Sequence, residues 1–214
     1  MYLSAKKNLS QICSFALAVI LISPNQLLAD VKPKNKTINV ELKAAEFDLE
    51  LIEGKKTPAW GYNGQVPGTE LRCRQGDTLK IKFINNLPEQ STIHWHGMRV
   101  PLEMDGVPYV SQLPVLPGEY FNYEFKCQDA GNYWYHPHEG STTQLGRGLF
   151  GPLIVEESTP SGFAVEQTLV FKTWHVDEEG QFTPFVINSQ AALAGTKGRL
   201  HTINSKQNPA ITYF

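Results

Sequence analysis

The chain has 214 residues, enough for one large domain or for one and a half smaller ones. Charged residues make up 19% and hydrophobic residues 41%, which suits a soluble globular protein with a core. A net charge of -2 leaves neither a nucleic-acid footprint nor a polybasic membrane patch.

The amino terminus differs from the rest. Lys6 and Lys7 precede an apolar run from Ile12 to Ile22, followed by Ser23-Pro24-Asn25 and a small residue at Ala29. This is the three-part layout of a secretory signal, so residues 1–29 are read as a signal peptide and the product as periplasmic or secreted. The run falls short of the about 20 residues that span a bilayer, and no stable membrane span is expected. Lys6-Lys7 is not a twin arginine, which leaves the export route open.

From residue 37 onwards strand signals dominate. Ile38, Val40 and Leu42 alternate with polar residues, as do Phe47, Leu49 and Leu51. Leu79, Ile81 and Phe83 follow, then Phe121, Tyr123 and Phe125. Period-two alternation predicts half-buried strands with one face to a core. Turn residues separate them, among them Asn63-Gly64, Gln75-Gly76-Asp77 and Pro117-Gly118. No segment keeps a helical period over three turns. The pattern predicts an all-β chain built as an antiparallel sandwich.

The first domain, residues 30–158, is expected to close with Leu153-Ile154-Val155, and the polar stretch from Glu156 to Gly162 reads as a linker. A further strand is expected between Gln167 and Trp174, with a turn at Asp177-Glu178-Glu179-Gly180. Residues 159–214 therefore read as the linker and start of a second, incomplete unit. Beyond the signal only Cys73 and Cys127 remain. They are either a disulfide of an oxidising compartment or two small buried hydrophobes.

Four of the six histidines fall in two short words, His94-Trp95-His96-Gly97 and His136-Pro137-His138. On a strand, residues i and i+2 share a face, so each word aims both imidazoles the same way, about 6.6 Å apart along the chain. Side by side, the two words would crowd four imidazoles into one patch, which is a multi-metal geometry. Ile93 and Trp95 are left for the core, and Pro137 places its word at a strand end or edge. Imidazole suits copper, zinc, iron and nickel, with copper(II) strongest on raw affinity. His175 and His201 are isolated and read as ordinary surface or packing residues.

Together these residues resemble the first domain of bacterial multicopper oxidases. The likeness starts at Trp60-Gly61-Tyr62-Asn63-Gly64, passes the first histidine word and Met104-Asp105-Gly106-Val107-Pro108, and ends at Gly131-Asn132-Tyr133-Trp134-Tyr135-His136-Pro137-His138 and Gly148-Leu149-Phe150-Gly151-Pro152. It implies a cupredoxin-like Greek-key β-sandwich, with an incomplete second cupredoxin-like unit. It also implies half of a type 2/type 3 trinuclear copper cluster. By position His94 resembles the type 2 ligand, and His96, His136 and His138 resemble type 3 ligands. Asp105 matches a family acid that assists proton delivery, with an Asp-Gly turn residue as the competing reading. The family's partners are dioxygen and a reducing substrate, here unidentified. A C-terminal cupredoxin domain supplies the other histidines and a blue type 1 copper. No His-Cys-His word occurs in these 214 residues, so this chain alone is expected to be inactive. A copper-binding or sequestering module without turnover is the alternative.

Overall fold

The computed structural model describes residues 35–159, 162–185 and 197–210, together with 189, 193 and 195. The expected signal peptide lies outside the described residues. Two four-stranded sheets face each other. The first runs β2 (Lys55–Tyr62), β1 (Thr37–Ile52), β4 (Thr78–Asn86), β6 (Tyr120–Lys126). The second runs β3 (Leu71–Arg74), β8 (Gly151–Glu156), β7 (Gly131–His136), β5 (His94–His96). The short helix α1 (Ser141–Arg147) leads from the second histidine word into β8. A separate pair, β9 (Phe171–Trp174) and β10 (Leu200–Ile203), follows.

The all-β expectation holds, with one correction to the pairing. The sandwich is mixed rather than purely antiparallel, because β1 runs parallel to β4 and β3 parallel to β8. A parallel neighbour cannot be reached by a hairpin and needs a crossover. Here β2 and β3 intervene between the first pair, and β4 to β7 between the second. Alternation along a strand does not report such crossovers.

The core lies between the sheets. Leu42, Leu79, Ile81, Phe83, Tyr123 and Phe125 from the first sheet meet Trp95, Tyr135, Leu153 and Val155 from the second, all buried. Cys73 on β3 and Cys127 just past β6 join this core from opposite sheets, with their sulfurs 2.6 Å apart. That contact and burial push the Cys73 thiol well above its ordinary pKa.

The alternations at Ile38–Leu42 and Phe47–Leu51 belong to one strand, the sixteen-residue β1. Between Ala44 and Phe47 the apolar side changes parity. Leu42 and Ala44 enter the main core, whereas Phe47, Leu49 and Leu51 serve a second cluster with Val66, Phe150, Trp174 and Val176. Strand faces alternate strictly, so the phase change directs one strand to two cores on opposite sides. The second cluster seats β9: Trp174 is fully buried and its indole N–H donates to Thr202 Oγ1 at 2.8 Å.

Trp174→Ala should therefore cost about 3–5 kcal/mol of stability. It should also open residues 162–210 to limited proteolysis while the fragment carrying both histidine words survives. Urea unfolding and mass analysis of the protease-resistant fragment check this, and a protease pattern identical to the parent's would contradict it.

Candidate metal centre

Strand β5 has only three residues, and its neighbours hold it. Ile93 and Trp95 are fully buried, and the Ile93 amide donates to the Tyr123 hydroxyl at 2.9 Å. Trp95 packs among Tyr123, Phe125 and Tyr135, at ring separations of 5.2, 4.9 and 6.0 Å. With Trp95 inward, His94 and His96 must point outward. The antiparallel ladder places His94 opposite His136, Trp95 opposite Tyr135 and His96 opposite Trp134. The second word arrives on the same outer face, and the four imidazoles gather as their spacing predicts.

The ring of His94 lies 5.7 Å from that of His96, 5.5 Å from His136 and 4.2 Å from His138. The ligand atoms of His94, His96 and His136 all lie within 4.8 Å of one another. His138 borders this trio, its ring 5.3 Å from that of His136. The Nδ1 of His96 approaches the Nε2 of His136 to 3.2 Å.

Backbone carbonyls fix two of the tautomers. The Nδ1 of His94 lies 2.9 Å from the Asp105 carbonyl oxygen, and that of His136 lies 3.0 Å from the Pro137 carbonyl oxygen. A carbonyl only accepts, so each Nδ1 carries the proton and each Nε2 is left with a lone pair. That is the arrangement of a histidine oriented for a metal.

Asp105 lies beside the first histidine word. It stands in a turn with Gly106, and its carboxylate Oδ1 also lies 3.1 Å from His94 Nδ1. Gly106 has φ +72°, and an added Cβ would collide with the Ile93 backbone next to His94. A glycine is required for the Asp105 turn to lie flat on β5 and reach the imidazole.

Electrostatics leave the cluster ready for a cation. Burial, reinforced by the neighbouring imidazoles, pushes His136 down to about 4 despite the opposing Pro137 hydrogen bond. Burial lowers His138 too, with His94 adding to the effect. Near neutral pH His136 presents lone pairs rather than positive charge, as coordination needs. Imidazole nitrogens gathered within 4.8 Å of one another fit a borderline metal ion such as copper.

Other residues that shape the centre left no pattern in the sequence. Thr92, fully buried, accepts the His138 amide at 3.3 Å on its Oγ1. Gln144, fully buried on α1, receives the Ser91 hydroxyl at 2.7 Å and donates to Glu89 Oε1 and the Gln90 carbonyl. It thereby ties the segment after His138 to the segment before His94. Single polar residues of this kind have no periodicity to betray them. His201, by contrast, lies exposed on β10, its Nδ1 2.9 Å from Thr173 Oγ1, and takes no part in the centre.

Comparison with known proteins places this geometry. A multicopper oxidase family model matches residues 44–160. Copper resistance protein A of Pseudomonas syringae pv. tomato is 39% identical over 145 residues, 64% of this chain and 24% of that protein. The multicopper oxidase mco of Staphylococcus epidermidis is 38% identical over 190 residues, 85% of this chain and 41% of its own length. Among solved structures, the multi-copper oxidase from Pseudomonas thermotolerans is 66% identical with a TM-score of 0.79, covering 81% of this chain and 42% of that one. This chain thus spans less than half of these relatives.

The depressed pKa of His136 has a sign that can be checked. Its folded value lies below the ordinary 6.5, so between about 6.5 and 4 the unfolded chain binds the extra proton. Stability from this group is complete above about 6.5 and is lost as the pH falls towards 4. In the metal-free chain, the His136 imidazole resonances should stay in their neutral position down to about pH 5 in an NMR titration. A midpoint near 6.5 would contradict the burial argument.

Proposed function

Because the chain belongs to the multicopper oxidase family, we propose that it is the amino-terminal, copper-holding part of an exported oxidase. The complete enzyme would couple one-electron oxidation of a reducing substrate to reduction of dioxygen, with four electrons and four protons giving two water molecules. The observation that carries this reading is the convergence of His94, His96 and His136 ligand atoms within 4.8 Å, with His138 at their border.

In this reading the four histidines hold their share of a type 2/type 3 copper cluster, His94 on the type 2 side and His96, His136 and His138 on the type 3 side. When bound, the copper ions supply the redox chemistry and the site for dioxygen. The chain's own contributions are more specific. The carbonyls of Asp105 and Pro137 hold the tautomers of His94 and His136. The carboxylate of Asp105 touches His94 and is partly open to solvent, so it is suited to pass protons inwards from water. Residues 30–158 form the first cupredoxin domain and residues 159–214 the linker and start of the second. The remaining ligands and the type 1 copper would come from a C-terminal cupredoxin domain. The layout of residues 1–29 supports export to the periplasm or beyond.

A second reading has one observation in its favour: Cys73 and Cys127, the cysteines among the described residues, are buried with their sulfurs against each other and have no histidine beside them in sequence, so neither is placed as the sulfur ligand of a type 1 copper. Binding or sequestering copper without turnover would need only the four histidines.

The purified chain should bind copper(II), and His136→Ala should remove most of that copper while His201→Ala leaves it intact. Metal analysis after dialysis against a weak chelator reads the difference, with an expected loss of affinity of tenfold or more from removing one oriented ligand. Oxygen uptake with a phenolic reductant should stay at background for the chain alone. Equal copper retention by the two variants would overturn the site, and sustained oxygen uptake would overturn the need for a further domain.

A further inference from the structure

Trp134 lies on β7, two residues before His136 and directly opposite His96 in the ladder. Its indole stacks on the His136 ring at 4.0 Å with the planes 25° apart. It stacks on His96 as well, at 4.8 Å and 29°. The histidines meet one another only tilted or edge-on. One flat ring thus faces the two imidazoles whose nitrogens approach to 3.2 Å.

The tethers on the imidazoles are unequal. His94 is held by Asp105 and His136 by Pro137, each through Nδ1. The Nδ1 of His96 points instead at His136, where it would face the metal, and His96 is the exposed member of the trio. An aromatic face limits rotation of the ring against it, and it does so without occupying a nitrogen. Trp134 is itself anchored: its backbone pairs with Pro152 on β8, and its side chain packs against the cluster of Leu51, Val66, Phe150 and Trp174.

We propose that Trp134 is a positioning residue for the metal centre, its indole fixing the ring planes of His96 and His136 together so that their free nitrogens converge. The proposal rests on the metal-site reading above. An imidazole that donates its lone pair becomes electron-poor, and an electron-rich indole is a better partner for such a face. The stack therefore favours the loaded over the empty centre. Phe keeps a flat face at this position; Met fills space without one.

The test compares the parent chain, Trp134→Phe and Trp134→Met, each titrated with copper(II) chloride against a competing chelator and examined by electron paramagnetic resonance. Circular dichroism on each confirms the fold. The expected result is that Trp134→Phe stays within about threefold of the parent's affinity and keeps its spectrum. Trp134→Met should lose about tenfold or more, the scale seen when the supports of metal ligands are removed, and should show a mixture of copper environments. If Trp134→Met matches Trp134→Phe in affinity and spectrum, the residue is only a space filler and the proposal fails. It fails equally if Trp134→Phe falls as far as Trp134→Met, since the flat face would then not be what matters. A parent chain that takes up no copper overturns the metal-site reading itself, and the proposal with it.

Discussion

The register between β5 and β7 rests on the burial of Trp95 and Tyr135. These two side chains are directly opposite in the ladder and fully buried. A slip of one residue by either strand would turn that strand's ring to solvent and its histidines inwards, away from those of its neighbour. At about 25 cal/mol per Å² and about 150–250 Å² per ring, such a slip would forfeit roughly 4–6 kcal/mol for each aromatic. It would also bury imidazoles among the apolar residues of the core. The histidine cluster is therefore set by the hydrophobic residues behind it, and its imidazoles sit where the core residues leave them.

The second apolar cluster supports the centre from the side. Phase-shifted β1 residues, Phe150 and Trp174 give Trp134 a firm backing. Lys172, two residues before Trp174 in β9, lies over the Phe150 and Trp174 rings and donates from Nζ to the Leu145 carbonyl of α1 at 3.2 Å. Burial brings this amine down to about 8. Residues beyond the expected linker thus reach the helix that follows His138, and Gln144 on that helix reaches back to the segment before His94. The centre and the start of the following segment are parts of one packed structure.

Legibility in the sequence followed periodicity. Alternation at Leu79–Phe83 and Phe121–Phe125 announced β4 and β6, and the two-residue spacing announced that each histidine pair shares a face. Pairing partners stayed hidden, since alternation is the same in parallel and antiparallel strands. The phase change inside β1 looked like two strands because nothing in a linear pattern distinguishes a turn from a switch of core. Asp105 reads both as a turn residue and as an acid, and a linear pattern does not show that its carboxylate lies against His94. Trp134 was visible within the Asn132-Tyr133-Trp134-Tyr135 stretch, but its contact with His96 depends on the ladder register, which only the folded chain displays. Thr92 acts through one hydrogen bond to the distant His138 amide and Gln144 through three to the Glu89–Ser91 segment, and such isolated polar contacts leave no signal in a linear pattern.

In the proposed reading the outer face of β5 and β7 converges on a copper ion through His94, His96 and His136. The most direct measurement is anomalous X-ray diffraction at the copper edge on crystals of the chain soaked with copper(II). The expected result is a strong anomalous peak at coordination distance from imidazole nitrogens of that trio, with the Nδ1 of His94 still on the Asp105 carbonyl. A peak at His175 or His201 with none between the two histidine words would contradict it.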